Sequence, residues 1–208
     1  MALPELDTTH LIAIAAALGW ASGMRLYAVV FLTGLAGYLG WVPLPNGLKL
    51  LSNEYVLIAS GLMLAVEFFA DKIPGLDSLW DLVHTVIRVP AGAALAAGVF
   101  GGDSATWAMV AALMGGTLAA TAHTAKATTR AAANTSPEPF SNIGLSLLGD
   151  AAVPAMLWLA WNEPVWFFVA LAAALAIGVT LIVVLFKFLR ALWRRVFPAS
   201  RAVPDGAA

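Results

Sequence analysis

The chain has 208 residues, of which 61% are hydrophobic and 11% charged, and its mean hydropathy is +0.87. A soluble fold cannot hide that much apolar surface, and a net charge of -1 with a pI near 6.3 excludes the basic field that nucleic-acid binding requires. The absence of cysteine excludes disulfides, thiolate metal sites and thiol nucleophiles.

From the N-terminus, Met1 to His10 carries Glu5 and Asp7 with no Lys or Arg, and the apolar run from Leu11 outlasts a signal peptide, so no cleaved leader is expected. Apolar runs predict helices at 11–39, 54–70, 79–100, 104–133, 141–161 and 164–193. Pro43-x-Pro45-Asn46-Gly47, Pro74-Gly75, Gly101-Gly102-Asp103, Pro137-Glu138-Pro139 and Asn162-Glu163-Pro164 punctuate them. The expected architecture is an all-α polytopic membrane helical bundle of about six transmembrane helices. One domain covers 1–195, and 196–208 form a short, disordered cytoplasmic tail.

The first run is longer than one span needs and sets Gly19, Gly23, Gly34 and Gly37 around Arg25, leaving open whether it is one helix or two. Three helices on either side of Gly101-Gly102 are compatible with a 3+3 inverted repeat, although no residue-level repeat is visible. Segment 141–149, SNIGLSLLG, reads equally as a re-entrant turn or an ordinary helix start. The positive-inside rule puts Lys72, Arg88, Lys126, Arg130, Lys187, Arg190, Arg194, Arg195 and Arg201 at the cytoplasmic face and only Lys49 outside, which on six crossings makes both termini cytoplasmic. Trp41, Trp107, Trp161 and Trp166 at expected outer ends, with Trp80 and Trp193 at inner ends, suit that layout. The expected location is the bacterial cytoplasmic (inner) membrane.

The stretch Glu67 to Arg88, EFFADKIPGLDSLWDLVHTVIR, concentrates ionisable groups in an otherwise apolar chain. Asp77, Asp81, His84 and Arg88 fall within about 60° of arc on a helix, and Glu67 and Asp71 are i, i+4 on the preceding one. A bland account makes Ser78-x-x-Asp81 a capping box, leaves Asp77 in a loop and lets Arg88 snorkel. It accounts less well for Glu67 and His84, because ionisable groups within a membrane are usually paired or line a path. The carboxylates and His84 also suit a hard divalent cation, but no dedicated metal motif is present. His123, Lys126 and Arg130 share a second helical face suited to an anion, while Thr117, Thr121, Thr124 and Thr128 oppose it as candidate helix–helix hydrogen-bonding residues. Arg25 and Asp150 sit deep in apolar runs and are expected to pair with each other, either structurally or as a gate. Lys187, Arg190 and Arg194 read as an anchor for anionic lipid.

The segments GWASGMRLY at 19–27, EFFADKIPGLDSLWDLVHTVIRVPAGA at 67–93, and AKATTRAAANTSPEPFSN with LLGD within 125–150 resemble the bacterial membrane family known as domain of unknown function 4126. The resemblance implies a multi-spanning membrane protein and brings no activity with it.

Three functions compete. The leading one is a small transporter or channel for an ion or small polar or anionic solute. Its path would use Arg25, Glu67, Asp71, Asp77, Asp81, His84, Arg88, His123, Lys126, Arg130 and Asp150. A scaffold or assembly subunit would need these charges only to dock helices. An intramembrane enzyme acting on a lipid or prenyl phosphate would use metal-holding acids with Lys126 and Arg130 on phosphate, but H-E-x-x-H, G-x-S-x-G and paired Asp-rich motifs are missing. No cofactor is expected. The expected partners are membrane lipids, a small solute or ion, and a second copy in a homodimer.

Overall fold

The computed structural model describes residues 6–73, 75–101, 104–135 and 140–196, with Val196 as backbone alone. Six α-helices follow in chain order: α1 (Thr8–Tyr38), α2 (Glu54–Ala70), α3 (Leu76–Phe100), α4 (Ala105–Ala133), α5 (Phe140–Asn162) and α6 (Pro164–Val196). A 3₁₀ helix, Asn46–Ser52, occupies what reads in sequence as a loop. Five helices are long and apolar enough to cross a membrane, or six when the 3₁₀ helix and α2, bent by 69°, count as one span. This is an all-α membrane helical bundle. The expected tail lies, beyond Val196, outside the described residues, as do Pro74, Gly102, Asp103 and the Pro137-Glu138-Pro139 turn.

Local chemistry sets the ends. Asp7 caps α1 by accepting from the His10 amide at 2.9 Å, and this bond holds its exposed carboxyl below the usual carboxylate range. Asn53 accepts from the Tyr55 amide at the start of α2, and Ser104 from the Trp107 amide at the start of α4. Pro164 opens α6 at a position where its missing N–H has no helical acceptor. Residues 141–149 lie inside α5 as regular helix, which decides against a re-entrant turn.

The central element is α1, and it is broken. Arg25 has φ -149° and ψ 86°, outside the helical region, so the element is two limbs, 8–24 and 26–38. On the first limb, Gly19 backs onto Gly115 and Gly23 onto the Ala119 carbonyl, and the Met24 carbonyl accepts from Lys126. This limb therefore runs parallel to α4. Past Arg25 the direction reverses. Tyr27 reaches His84, Phe31 lies against Gly61, Gly34 backs onto the Leu51 carbonyl, and Tyr38 donates to Glu54. Gly47, just downstream, sits on the Gly98 carbonyl near the end of α3, so the second limb has returned to the level where the first began. The 31 residues of α1 make an in-and-out hairpin with Arg25 at its apex.

This fold-back corrects the expected topology. Because α1 leaves at the end it entered and α2 to α6 then alternate, the start of α1 and the end of α6 lie at opposite ends of the bundle. The described ends of the chain, at α1 and α6, therefore do not share one end of the bundle as the expected layout had them. The hairpin also has no counterpart among α4 to α6, which sets the two halves of the chain apart.

Small residues make the close packing possible. A Cβ on Gly19 would lie 2.4 Å from the Gly115 Cα, one on Gly23 2.2 Å from the Ala119 carbonyl oxygen, and one on Gly115 2.4 Å from the Ala96 Cβ. Lipid drives helices together weakly, so van der Waals contact at such distances carries the association. Ala13, Ala15, Ala16, Ala17 and Ala21 bury the first limb of α1 in the middle of the bundle. By contrast α6 presents Val179, Val183, Val184 and Phe186 outward, as a lipid-facing helix does.

Candidate functional site

The polar stripe of α3 faces inward. Asp77, Asp81, His84 and Arg88 are buried, whereas Leu79, Leu82, Val83 and Val86 on the same helix are exposed. Hydrocarbon cannot solvate the first set and accepts the second, so the helix turns its charges toward α1, α2 and α4.

Asp71, at the C-terminal end of α2, is the hub. Its Oδ2 receives Arg25 Nη2 at 3.1 Å, Lys126 Nζ at 3.0 Å and Arg130 Nη2 at 3.2 Å. Arg88 bridges Glu67 at 2.8 Å through one guanidinium nitrogen and Asp81 at 2.7 Å through the other. Lys126 also meets Asp81 at 3.2 Å, and Arg130 reaches Asp77 at 3.2 Å and Asp81 at 3.8 Å. At the margin, where both side chains are about a fifth exposed, Lys72 pairs with Asp150 at 3.3 Å. The expected Arg25–Asp150 pair is present at 3.0 Å, but Arg25 is shared with Asp71. Five carboxylates and five cations thus close a neutral network. Burial costs each ion several kcal/mol, on the order of what a well-placed opposite charge returns, so mutual pairing is what makes the cluster tolerable.

The helix break contributes directly. Interrupting α1 at Arg25 frees the Met24 carbonyl, which accepts from Lys126 at 3.1 Å. Arg25 directs all its polar contacts through Nη2, donating to the Ser146 hydroxyl at 2.8 Å and carbonyl at 3.1 Å besides the two carboxylates. Its Nη1, also buried, has no hydrogen-bond partner among the described residues.

The two histidines flank the network. His84 Nδ1 donates to the Trp80 carbonyl at 2.8 Å, and its Nε2 pairs with the Tyr27 hydroxyl at 3.1 Å. The Thr85 hydroxyl donates to the Asp81 carbonyl and so accepts from His123 Nε2 at 2.8 Å, while Arg88 donates to His123 Nδ1 at 3.2 Å.

Several expectations need correcting. The Ser78-x-x-Asp81 capping box does not form. The helix starts at Leu76, after Gly75 with φ +85°, and the Asp77 carboxylate accepts from the Gly75 and Ser78 amides at 2.9 and 2.6 Å. Asp77 is thus buried in the first turn rather than loose in a loop. Arg88 does not snorkel, being fully buried between two acids. Thr117 and Thr121 donate to the Leu113 and Thr117 carbonyls of their own helix, not across to another. Among the described residues no three His, Asp or Glu side chains converge as a metal site.

Sequence reasoning passed over Lys72, Ser146, Tyr27 and Asn134, which donates to Asp77 at 3.1 Å and Ser78 at 2.9 Å. Lys72 beside Asp71 carried a usable signal, and its contact with the Phe68 ring, 3.0 Å from the centroid, is a local i, i+4 one, but its reach to Asp150 is tertiary.

Beside the network lies a partly open cavity of about 480 Å³ between α1, α4, α5 and α6. Its lining is overwhelmingly apolar except at one end, where Arg25, Lys126, Arg130 and Asp71 enter it.

Neither a curated protein nor a solved structure matches this chain. A family does match, over residues 12–184, which include most of the hairpin, the whole ion-pair network and the whole cavity wall. The chain belongs to the family described as Domain of unknown function (DUF4126).

Proposed function

We propose that the protein is a small transporter for an anionic solute, with the cavity as its binding chamber and the hub around Asp71 as its switch. The observation that carries this reading is the hairpin apex. A membrane helix is broken at an arginine, and that arginine shares one carboxylate oxygen with Lys126 and Arg130 at the charged end of a cavity. Broken helices at membrane depth are tolerated where they line a cavity, and transporters build substrate sites at such breaks.

Asp71 stands where a substrate anion would. An entering anion competes with it for the three cations, and weakening the Arg25–Asp71 contact loosens the hairpin from the end of α2. Two discrete pairings of the same cations supply the alternative states that transport requires. We place the α2–α3 end and the C-terminal end of α6 on the cytoplasmic side, because Lys72, Lys187, Arg190, Arg194 and Arg195 lie toward it and, among the described residues, only Lys49 lies toward the other. The membrane would be the bacterial cytoplasmic one.

The mutual pairing of all ten charges supports a second reading, in which the network docks helices and nothing moves through it. Uptake of anions into proteoliposomes separates the two. The transporter shows flux above empty vesicles that the charge-balanced Arg25→Gln, Asp71→Asn double variant loses while staying folded. Absence of flux with folded wild-type protein across inorganic anions, short carboxylates and lipid-like anions assigns the network to docking.

A further inference from the structure

The cavity has two unlike ends, and the difference names a substrate class. Its walls are hydrocarbon, with Leu148, Met156 and Leu159 from α5 facing Ala174, Ile177 and Leu181 from α6. Its charged end presents three cations, Arg25, Lys126 and Arg130, against the single carboxylate of Asp71, the remaining network carboxylates not being among its lining. All four groups are nine-tenths or more buried, and Arg25 keeps one guanidinium nitrogen without a partner. A small hydrated ion gains nothing from the apolar walls, and a neutral hydrocarbon makes no use of the charged end. The volume, about 480 Å³, lies within the roughly 300–1,000 Å³ of sites that hold one small molecule.

We infer that the cavity takes a single-chain anionic amphiphile, with its headgroup on Arg25, Lys126 and Arg130 and its chain between α5 and α6. This inference rests on the transport reading and specifies its substrate. The headgroup chemistry is an oxyanion, either a carboxylate or a phosphate monoester. Arg25 Nη1 supplies the donor that Asp71 leaves unused, and the two other cations exchange a share of Asp71 for the ligand oxygens. The chain displaces whatever lipid or solvent occupies the apolar part.

Trp20 lines the cavity and offers an intrinsic reporter. The test uses the full chain in zwitterionic-lipid nanodiscs, titrated with a mid-chain dibrominated fatty acid, a brominated lysophosphatidic acid, or the methyl ester of the fatty acid. Bromine quenches nearby tryptophan, and a Trp20→Phe variant isolates that residue's share from the other tryptophans. Saturable quenching of Trp20 by one or both acids is expected, at least tenfold weaker for the ester. It should weaken by at least tenfold in Ala152→Phe, which fills the cavity without touching the charges, and in Lys126→Gln.

Quenching that is equal for acid and ester, or unchanged in Ala152→Phe, means simple partition into the bilayer and overturns the proposal. The same titration alongside proteoliposome flux separates the two levels. Flux of small anions without Trp20 quenching removes the amphiphile and keeps the transporter; saturable quenching without flux of any anion keeps the amphiphile site and removes the transporter. Helical circular dichroism and a single gel-filtration peak certify each variant before titration.

Discussion

Arg25 and Asp71 meet at 3.1 Å where the apex of the α1 hairpin touches the end of α2, and both side chains are essentially inaccessible. Each charge there depends on such partners in place of water, and Arg25 has Asp150 and Ser146 besides Asp71. Asp71 is held by Lys126 and Arg130 as well, so the contact joins α1, α2 and α4 through one carboxylate oxygen.

Removing that carboxylate alone should be costly. Asp71→Ala leaves three cations facing one another, and breaking a buried pair costs about 3–5 kcal/mol. Asp71→Asn together with Arg25→Gln should recover at least half of that loss, because no net charge is then stranded. Reversible denaturation in mixed micelles measures both, and a double variant no more stable than the single one would refute the hub.

Arg88 should not tolerate lysine. Its two terminal nitrogens reach Glu67 and Asp81 in different directions, 2.8 and 2.7 Å away, and an ammonium is a single point that cannot span both. Arg88→Lys is expected to cost about 1.5–3 kcal/mol, the value of one charged hydrogen bond, despite keeping the charge. Unchanged unfolding free energy would show that charge, not the fork, is what the site uses.

The close approach of α1 and α4 makes a sharp contrast between glycines. Gly23→Ala would put a methyl group 2.2 Å from the Ala119 carbonyl oxygen, and backbone must move to admit it. A loss of about 1–3 kcal/mol or more is expected. At Gly144 nothing lies within 4 Å, so Gly144→Ala should be neutral or stabilise α5 by up to about 1 kcal/mol. Equal effects at the two sites would mean that α1 and α4 are not packed this way.

Topology can be read without background, since the chain has no cysteine of its own. Thr9→Cys and Ser52→Cys lie toward one end of the bundle, and Ser78→Cys and Arg194→Cys toward the other. An impermeant maleimide applied to intact cells should label the first pair and spare the second. Labelling of Thr9→Cys and Arg194→Cys from the same side would eliminate the hairpin.

The sequence by itself determined the helices and the identity of the charged cluster. Long apolar runs broken by Pro, Gly and Asn admit little else in lipid, and the expected 54–70 coincides with Glu54–Ala70. The i, i+4, i+7, i+11 spacing of Asp77, Asp81, His84 and Arg88 placed them on one face, and the cost of exposing that face to hydrocarbon directed it inward. What only the tertiary structure decided is which charge meets which, and that α1 turns back. A single non-helical residue, Arg25, reverses the chain, and its run of apolar neighbours looks alike whether it crosses once or folds in half. Hydropathy measures how well a segment tolerates lipid and is blind to its direction. The reversal is held by contacts with α2, α3, α4 and α5 from residues up to 125 positions away in sequence, as Arg25 to Asp150 shows. The cavity followed from the same packing, since it is the space those helices leave.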